Sequence, residues 1–347
     1  MKNMPNNALI AMSGGVDSTV AALLTAKDGL GCAGAMMKLH PGAGESADAR
    51  AAADRLGIPF YVFDMSECFS EQVIARFIAA YREGRTPNPC IDCNRNLKFG
   101  AFLKKALETG YDGVVTGHYA RTERDGLTGR YLLKKAADGS KDQSYVLYSL
   151  TQEQLSRIRF PLGGLTKQRV REIALAEGFN NAGRRESQDI CFIPDGDYAK
   201  FIEQYTGETP KKGRFVDTSG NDLGENRGVV CYTVGQRRGL GLAMPYPAYV
   251  TDIRTEDGTV VVGRKEELYS KALTARDVNF IPFDRLDRPM RIRAKIRYNQ
   301  TEQPATVEQT GPGTIHIEFD EPQRAITKGQ AAVIYEGDIV IGGGTIT

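Results

Sequence analysis

Several things are scarce in this sequence, and each scarcity excludes something. Charge of one sign is not in excess: 45 Lys and Arg face 43 Asp and Glu, a net charge of +2. Global charge therefore does not announce a nucleic-acid partner, and any such signal must be local. No apolar run approaches the length of a membrane span, so no membrane association is expected. Cysteine is sparse and unevenly placed, six in 347 residues, which excludes a disulfide scaffold and points to reduced cytosolic thiols. The Gly-Lys-Ser/Thr ending of a Walker phosphate loop is missing. One Cys-x-x-Cys pair and a single distant companion do not make a zinc tetrad. No repeat or low-complexity segment is present.

What is there begins at Ala11-Met12-Ser13-Gly14-Gly15-Val16-Asp17-Ser18. An apolar run, residues 8–12, precedes it and a helical run, 19–27, follows, giving strand, tight loop and helix. Paired glycines let the backbone turn and approach a ligand. The free amides of a helix start favour an anion in the same space. Ser13 and Ser18 add hydroxyls. Asp17 is the odd member, because a carboxylate beside phosphates needs a cation between them; the expected ligand is a magnesium-bound pyrophosphate group.

From residue 7 to about 120 strands and helices alternate, which predicts a parallel sheet covered on both faces. Strands are expected at 33–39, 60–63 and 113–116, and helices at 46–56, 67–81 and 94–107. Ligands sit at the carboxyl ends of such strands, so the loop, Met37 and Gly117-His118 should share one rim, with adenine near Met37 and Gly117. A hairpin is expected within 121–150, and helices from 152 to 205. Beyond residue 211 short β-branched runs separated by Gly, Asp, Asn and Pro read as all-β, a small domain and then a barrel. The expected division is 1–206, 207–275 and 276–347.

Two further stretches carry chemistry. In Thr86-Pro87-Asn88-Pro89-Cys90-Ile91-Asp92-Cys93 the prolines stiffen the approach to a helix start, where thiol pKa values fall and reactivity rises. The distant companion is Cys191. By itself the pair leaves zinc, an iron–sulfur cluster and redox chemistry open. Cys32, Cys68 and Cys231 read as packing thiols. The clearest local charge signal is Arg291 to Tyr298, whose alternation puts Arg291, Arg293, Lys295 and Arg297 on one strand face, suited to a phosphate backbone. Its plainer reading is a solvated face with acidic partners such as Glu308 or Glu318.

The loop resembles that of the N-type ATP pyrophosphatases. Together with Thr86 to Cys93, Lys98-Phe99, Gly117 to Arg121, Lys141 to Tyr145, Ile190-Cys191-Phe192, Tyr232 to Gly241 and Arg297-Tyr298, it resembles the tRNA-uridine 2-sulfurtransferases over almost the whole chain. The resemblance implies a sulfur transferase that uses ATP, adenylating the C2 oxygen of the wobble uridine in a tRNA anticodon loop and replacing it with sulfur. It implies that Ala11, Met12, Ser13, Gly14, Gly15, Val16, Asp17, Ser18, Met37 and Gly117 hold ATP, with Mg2+. Cys93 stands at the nucleophile position and Cys191 at the persulfide position. Asn88, Pro89 and Cys90 line the target-base pocket. His118, Lys141, Asp142, Gln143, Arg297, Tyr298 and Gln330 contact tRNA, and a sulfur donor such as a cysteine desulfurase or relay protein is implied, in the cytoplasm. Many members carry Asp where this chain has Cys90. Cys90, Cys93 and Cys191 thus offer three thiolates to a four-iron cluster, an alternative to the persulfide. Other readings are a pyrophosphatase ligase acting on a small molecule, needing neither the Cys-x-x-Cys nor the basic strand, and a non-catalytic RNA-binding protein, indifferent to loss of Asp17.

Overall fold

The computed structural model describes residues 7–40, 46–179 and 190–347. The apolar run after residue 7 is strand β1 (Asn7–Ala11), and β2 (Gly31–Lys38), β3 (Phe60–Asp64) and β4 (Gly113–Val115) follow it. A hairpin, β5 (Arg121–Arg124) and β6 (Tyr131–Lys134), comes next, and then β7 (Ile158–Arg159). Strands β1–β4 and β7 make a parallel sheet in the order β3-β2-β1-β4-β7. Ala8, Leu9 and Ile10 are fully buried, as expected of a central strand covered on both faces. The chain runs outward from β1 to β3 and returns on the other side at β4. The crevice between β1 and β4 is therefore the switch point at which such sheets bind ligands. β7 lies in a stretch expected to be helical; it is two residues long, too short to show a period.

Two helical segments, 66–82 and 89–108, cover the thiol side of this crevice. Each is continuous, yet each contains a π-wound stretch, Ser70–Ala75 and Cys93–Ala101. The expected helices at 67–81 and 94–107 are thus present, with a different winding inside.

Beyond residue 211 the chain is β-rich. β8 (Gly213–Asp217), β9 (Asp222–Asn226), β10 (Tyr249–Arg254) and β11 (Thr259–Gly263) form a four-stranded sheet in the order β10-β11-β8-β9. The run at 229–234, which reads as a strand, is instead a tight 3-10 turn over Val229–Cys231 behind Gly228, whose φ is 107°. Strands β12 (Tyr269–Phe280), β13 (Met290–Lys295), β14 (Gln303–Gly311), β15 (Thr314–Arg324), β16 (Ala331–Glu336) and β17 (Ile339–Ile346) follow. They run in the order β12-β15-β14-β13-β16-β17, and β12 pairs with β17 to close a six-stranded barrel. The β5–β6 hairpin extends from the first domain and joins this sheet where Lys134 pairs with Ile339. Among the described residues no helix is long and apolar enough to cross a membrane.

Candidate active site

The phosphate loop is wired before any ligand arrives. Ser18 Oγ donates to the Gly15 carbonyl at 2.9 Å and accepts from the Ser13 amide at 3.2 Å. Gly14 has a φ of 79°, where a side chain would be strained. The helix Val16–Lys27 starts at Gly15 with no side chain capping it, which leaves its first-turn amides open to an anion. Gly117, after β4, backs the loop so closely that a Cβ there would lie 2.8 Å from the Asp17 carbonyl carbon.

Asp17 is engaged differently from the expectation. Both its oxygens lie 2.8 Å from the Lys167 ammonium, and Tyr119 Oη donates to Oδ1 at 2.8 Å. Lys167 is buried at the start of the helix Lys167–Ala176, beyond the cap residue Thr166. The cation beside Asp17 is thus a lysine. Asp17 is also the one carboxylate among the described residues that line the cavity below, so this donor set does not fit a protein-held magnesium ion.

A cavity of about 430 Å³ opens in front of the loop. Ala11, Met12, Ser13, Asp17, Ser18, Met37 and Gly117 line one side, and Pro89, Cys90, Cys93 and Cys191 line another, with Gln143 and His118 between. Chain positions 98 residues apart thereby meet on one wall. The approach is built locally: Asn88 accepts from the Cys90 amide at 3.1 Å, capping the helix that Pro89 begins. On the far side Phe192 anchors Cys191, packing against Phe69, Phe77 and Phe201 at ring separations of 5.7, 5.4 and 5.1 Å.

All six cysteines are unpaired thiols. Cys90 and Cys191 open onto the cavity, yet protein crowds all three of its thiols. Burial pushes Cys90 and Cys93 up, and Cys191 up to about 11, where the neighbouring thiols add to the effect. The lowering expected from a helix start is overcome, because desolvation of a thiolate here outweighs the dipole. Among the described residues no three His, Cys, Asp or Glu side chains are grouped so as to hold a metal ion. Cys90, Cys93 and Cys191 line one wall of the cavity, and Cys93 and Cys90 both act electrostatically on Cys191.

The seven residues expected at tRNA are dispersed. His118 is buried: Nδ1 lies 2.8 Å from Thr116 Oγ1 and Nε2 3.5 Å from Lys98 Nζ. Burial, and then the lysine, hold its imidazole neutral far below the ordinary range. Gln143 exchanges hydrogen bonds of 2.9 Å with the Tyr119 backbone. Asp142 shapes its turn, accepting from the Ala136 amide at 3.0 Å and from Ser144 Oγ at 2.7 Å. Asp142 and Tyr298 line a second cavity, about 500 Å³, with Lys135, Arg293 and Lys295, between the hairpin end and the barrel. Lys141 sits beside this cavity in sequence, its amide bonded to the Asp138 carbonyl at 3.0 Å. Arg297 turns inward and donates through Nη2 to Thr327 Oγ1 at 2.8 Å and to the Val234 and Ala325 carbonyls at 3.2 Å. Gln330 donates to the Thr86 carbonyl at 2.7 Å. Over residues 291–295 the basic strand alternates as expected, with Ile292 and Ala294 buried between exposed Arg291 and Arg293, but the strand ends at Lys295, so Arg297 lies beyond it and does not share that face. Its acidic partners are Asp320, 2.7 Å from Arg291, and Glu302, 3.9 Å from Arg293, in place of Glu308 and Glu318.

The tRNA methyl transferase HUP domain family matches residues 6–195, the tRNA methyl transferase PRC-barrel domain family matches 199–264, and the aminomethyltransferase β-barrel domain family matches 270–346. A tRNA-specific 2-thiouridylase MnmA of Clostridioides difficile (strain 630) is 49% identical over 99% of this chain and 98% of its own. The chain belongs to the tRNA-specific 2-thiouridylase family. The same name is carried by a relative in Acetivibrio thermocellus, 48% identical over 97% of this chain and 98% of its own. A third, from Carboxydothermus hydrogenoformans, is 49% identical over 97% and 96%. Within this thiouridylase architecture sequence reasoning assigned no role to Thr116 and no site contact to Lys167, and named Lys98 and Tyr119 only as part of the resemblance. The Lys167 helix start is legible from Thr166, but its long-range partner is not. Lys98 is hidden by winding, because α-helical spacing turns it away from Cys93.

Proposed function

We propose that the chain transfers sulfur to C2 of the wobble uridine of tRNA, using ATP. The observation that carries this reading is the single cavity onto which the phosphate loop and the Cys93 and Cys191 thiols open together. The names of the full-length relatives agree with it. A methyl-transfer name, as the domain families bear, gives these convergent thiols nothing to do.

Ala11 to Ser18, Met37 and Gly117 hold ATP, with magnesium entering as the counter-ion of that substrate. Asn88, Pro89 and Cys90 border the pocket for an extruded base, which favours an anticodon loop over a duplex. The uridine C2 oxygen attacks the α-phosphorus, and pyrophosphate leaves with the electron pair of the broken bond. Loop amides stabilise the charge that develops. The terminal sulfur of a Cys191 persulfide, charged by a cysteine desulfurase or relay protein, attacks C2. The C2–O bond breaks and its electrons leave with AMP. The Cys93 thiolate then attacks Cys191 Sγ, the transferred sulfur departs with the electron pair as 2-thiouridine, and the Cys93–Cys191 disulfide is reduced by an external dithiol. Lys141, Asp142, Gln143, Arg297, Tyr298 and the wall of the second cavity serve the tRNA side.

The test is anaerobic thiolation of unmodified tRNA with ATP, magnesium, a cysteine desulfurase with cysteine as the sulfane-sulfur donor, and a dithiol reductant, read by mercury-gel retardation, on metal-free and iron-reconstituted protein. Equal activity in both, retained in Cys90→Ser and lost in Cys191→Ser, is expected. Activity only after reconstitution, lost in all three cysteine variants, would replace the persulfide route with a cluster.

A further inference from the structure

The cavity holds one lysine or arginine among the described residues that line it, and that residue is Lys98. The opposing carboxylate, Asp17, is already matched by Lys167. Lys98 reaches the thiol wall because of how its helix is wound. It follows Cys93 by five residues, and Cys93–Ala101 is π-helical. An i→i+5 winding sets the fifth residue above the first, where an α-helix would carry it well round the axis. A π-wound stretch is strained relative to an α-helix and recurs at functional sites.

His118 fixes the ammonium from below. An ammonium has only donors, so Nε2, 3.5 Å from Lys98 Nζ, presents its lone pair, and the ring proton sits on Nδ1 toward Thr116 Oγ1. The ring is wedged between Phe99 and Phe160, at 5.7 and 6.0 Å, so it cannot swing away. A neutral, buried histidine is thus spent on aiming a lysine into a cavity of sulfur atoms.

We propose that Lys98 is the cation of the sulfur-transfer step, stabilising the anionic sulfur on the wall shared by Cys93 and Cys191, with His118 as its positioning residue. The proposal rests on the functional reading above and assigns the charge that reading lacks: both sulfur attacks begin from an anion in a crowded, poorly hydrated space. Lys98 lowers all three cavity thiols against the rise that burial causes. The other groups facing them are Asp92, which raises Cys93 and is itself near Arg76 and Arg95, and Cys68, whose own neighbour is Glu71.

Two measurements on the full-length protein test this. The first needs no RNA: alkylation of Cys93 by iodoacetate and by iodoacetamide, followed by peptide mass spectrometry. The ratio of the two rates cancels the thiolate fraction and reports the local potential, because one reagent is an anion and the other neutral. Lys98→Met should lower the ratio at least about fivefold, and Lys98→Arg should hold it near wild type. An unchanged ratio in Lys98→Met overturns the proposal. The second is single-turnover thiolation with ATP and tRNA affinities measured alongside. Lys98→Met should lose about 100-fold in rate with both affinities within about threefold, and Lys98→Arg should recover at least about tenfold. An ATP affinity weakened about tenfold with an unchanged reagent ratio would make Lys98 a phosphate ligand instead. If wild-type protein fails to thiolate tRNA, the functional reading fails, and the reagent ratio still decides whether Lys98 governs this sulfur.

Discussion

Asp17 and Lys167 show how one residue's role depends on a partner 150 positions away. Lys167 is 7% exposed and Asp17 30% in their side chains, and the pair is joined through both carboxylate oxygens. Removing one member of a largely buried pair strands the other, at a cost of about 3–5 kcal/mol. Asp17→Ala and Lys167→Ala should each destabilise the protein on that scale in urea unfolding, whereas Asp17→Asn with Lys167→Met should recover most of it. If ATP affinity returns together with stability in the double variant, the pair only braces the loop; if stability alone returns, its charges also serve the nucleotide. His118 gives a second prediction at this scale. Its folded pKa lies well below the ordinary value near 6.5, so below that pH the unfolded chain binds a proton that the native state refuses. Stability on its account is complete above pH 6.5 and is lost as the pH falls, by about 1.4 kcal/mol per unit. His118→Asn should flatten the decline between pH 6.5 and 5 relative to wild type; identical slopes would mean that the native state protonates this ring as readily as the unfolded chain does.

At the scale of elements, legibility followed the period of the signal. β1 and its loop were readable because an apolar run, two glycines and a helix start are all local, and the structure places them at the switch point of a parallel sheet. The barrel strands were readable from alternation, as in Met290–Lys295. The π-wound stretches were not, because apolar residues at Phe69, Val73, Ile74, Phe77 and Ile78 satisfy helical spacing whichever way the backbone bonds. That small ambiguity mattered for function, since the winding decides whether Lys98 shares a face with Cys93. The tight turn at Val229–Cys231 was misread for a related reason. β-branched composition reads as a strand, whereas Gly228 bends the chain locally and Cys231 bonds back to its carbonyl at 3.0 Å.

At the scale of the whole molecule the loop at residues 86–93 is held by all three domains. Thr86 donates its amide to the Lys328 carbonyl at 2.8 Å and accepts from Gln330 at 2.7 Å, both at the barrel, while its hydroxyl lies 3.5 Å from Thr233 of the middle domain. A Cβ on Gly329 would lie 2.9 Å from the Thr86 amide nitrogen, so the two backbones are pressed together. Arg297 ties the same barrel edge to the middle domain through Val234. Sequence reading could place Gln330 at tRNA only by resemblance, and Arg297 by strand alternation and resemblance; no local pattern encodes a hydrogen bond 244 positions long. The geometry makes Gln330 a strut that sets the loop leading into Asn88, Pro89 and Cys90. Gln330→Ala should then cost about 1 kcal/mol locally and speed hydrogen–deuterium exchange in residues 86–93. The thiolation rate should fall while tRNA affinity stays within about threefold, because only the loop's position has been loosened. Affinity weakened about tenfold with unchanged exchange would instead put this side chain on the RNA.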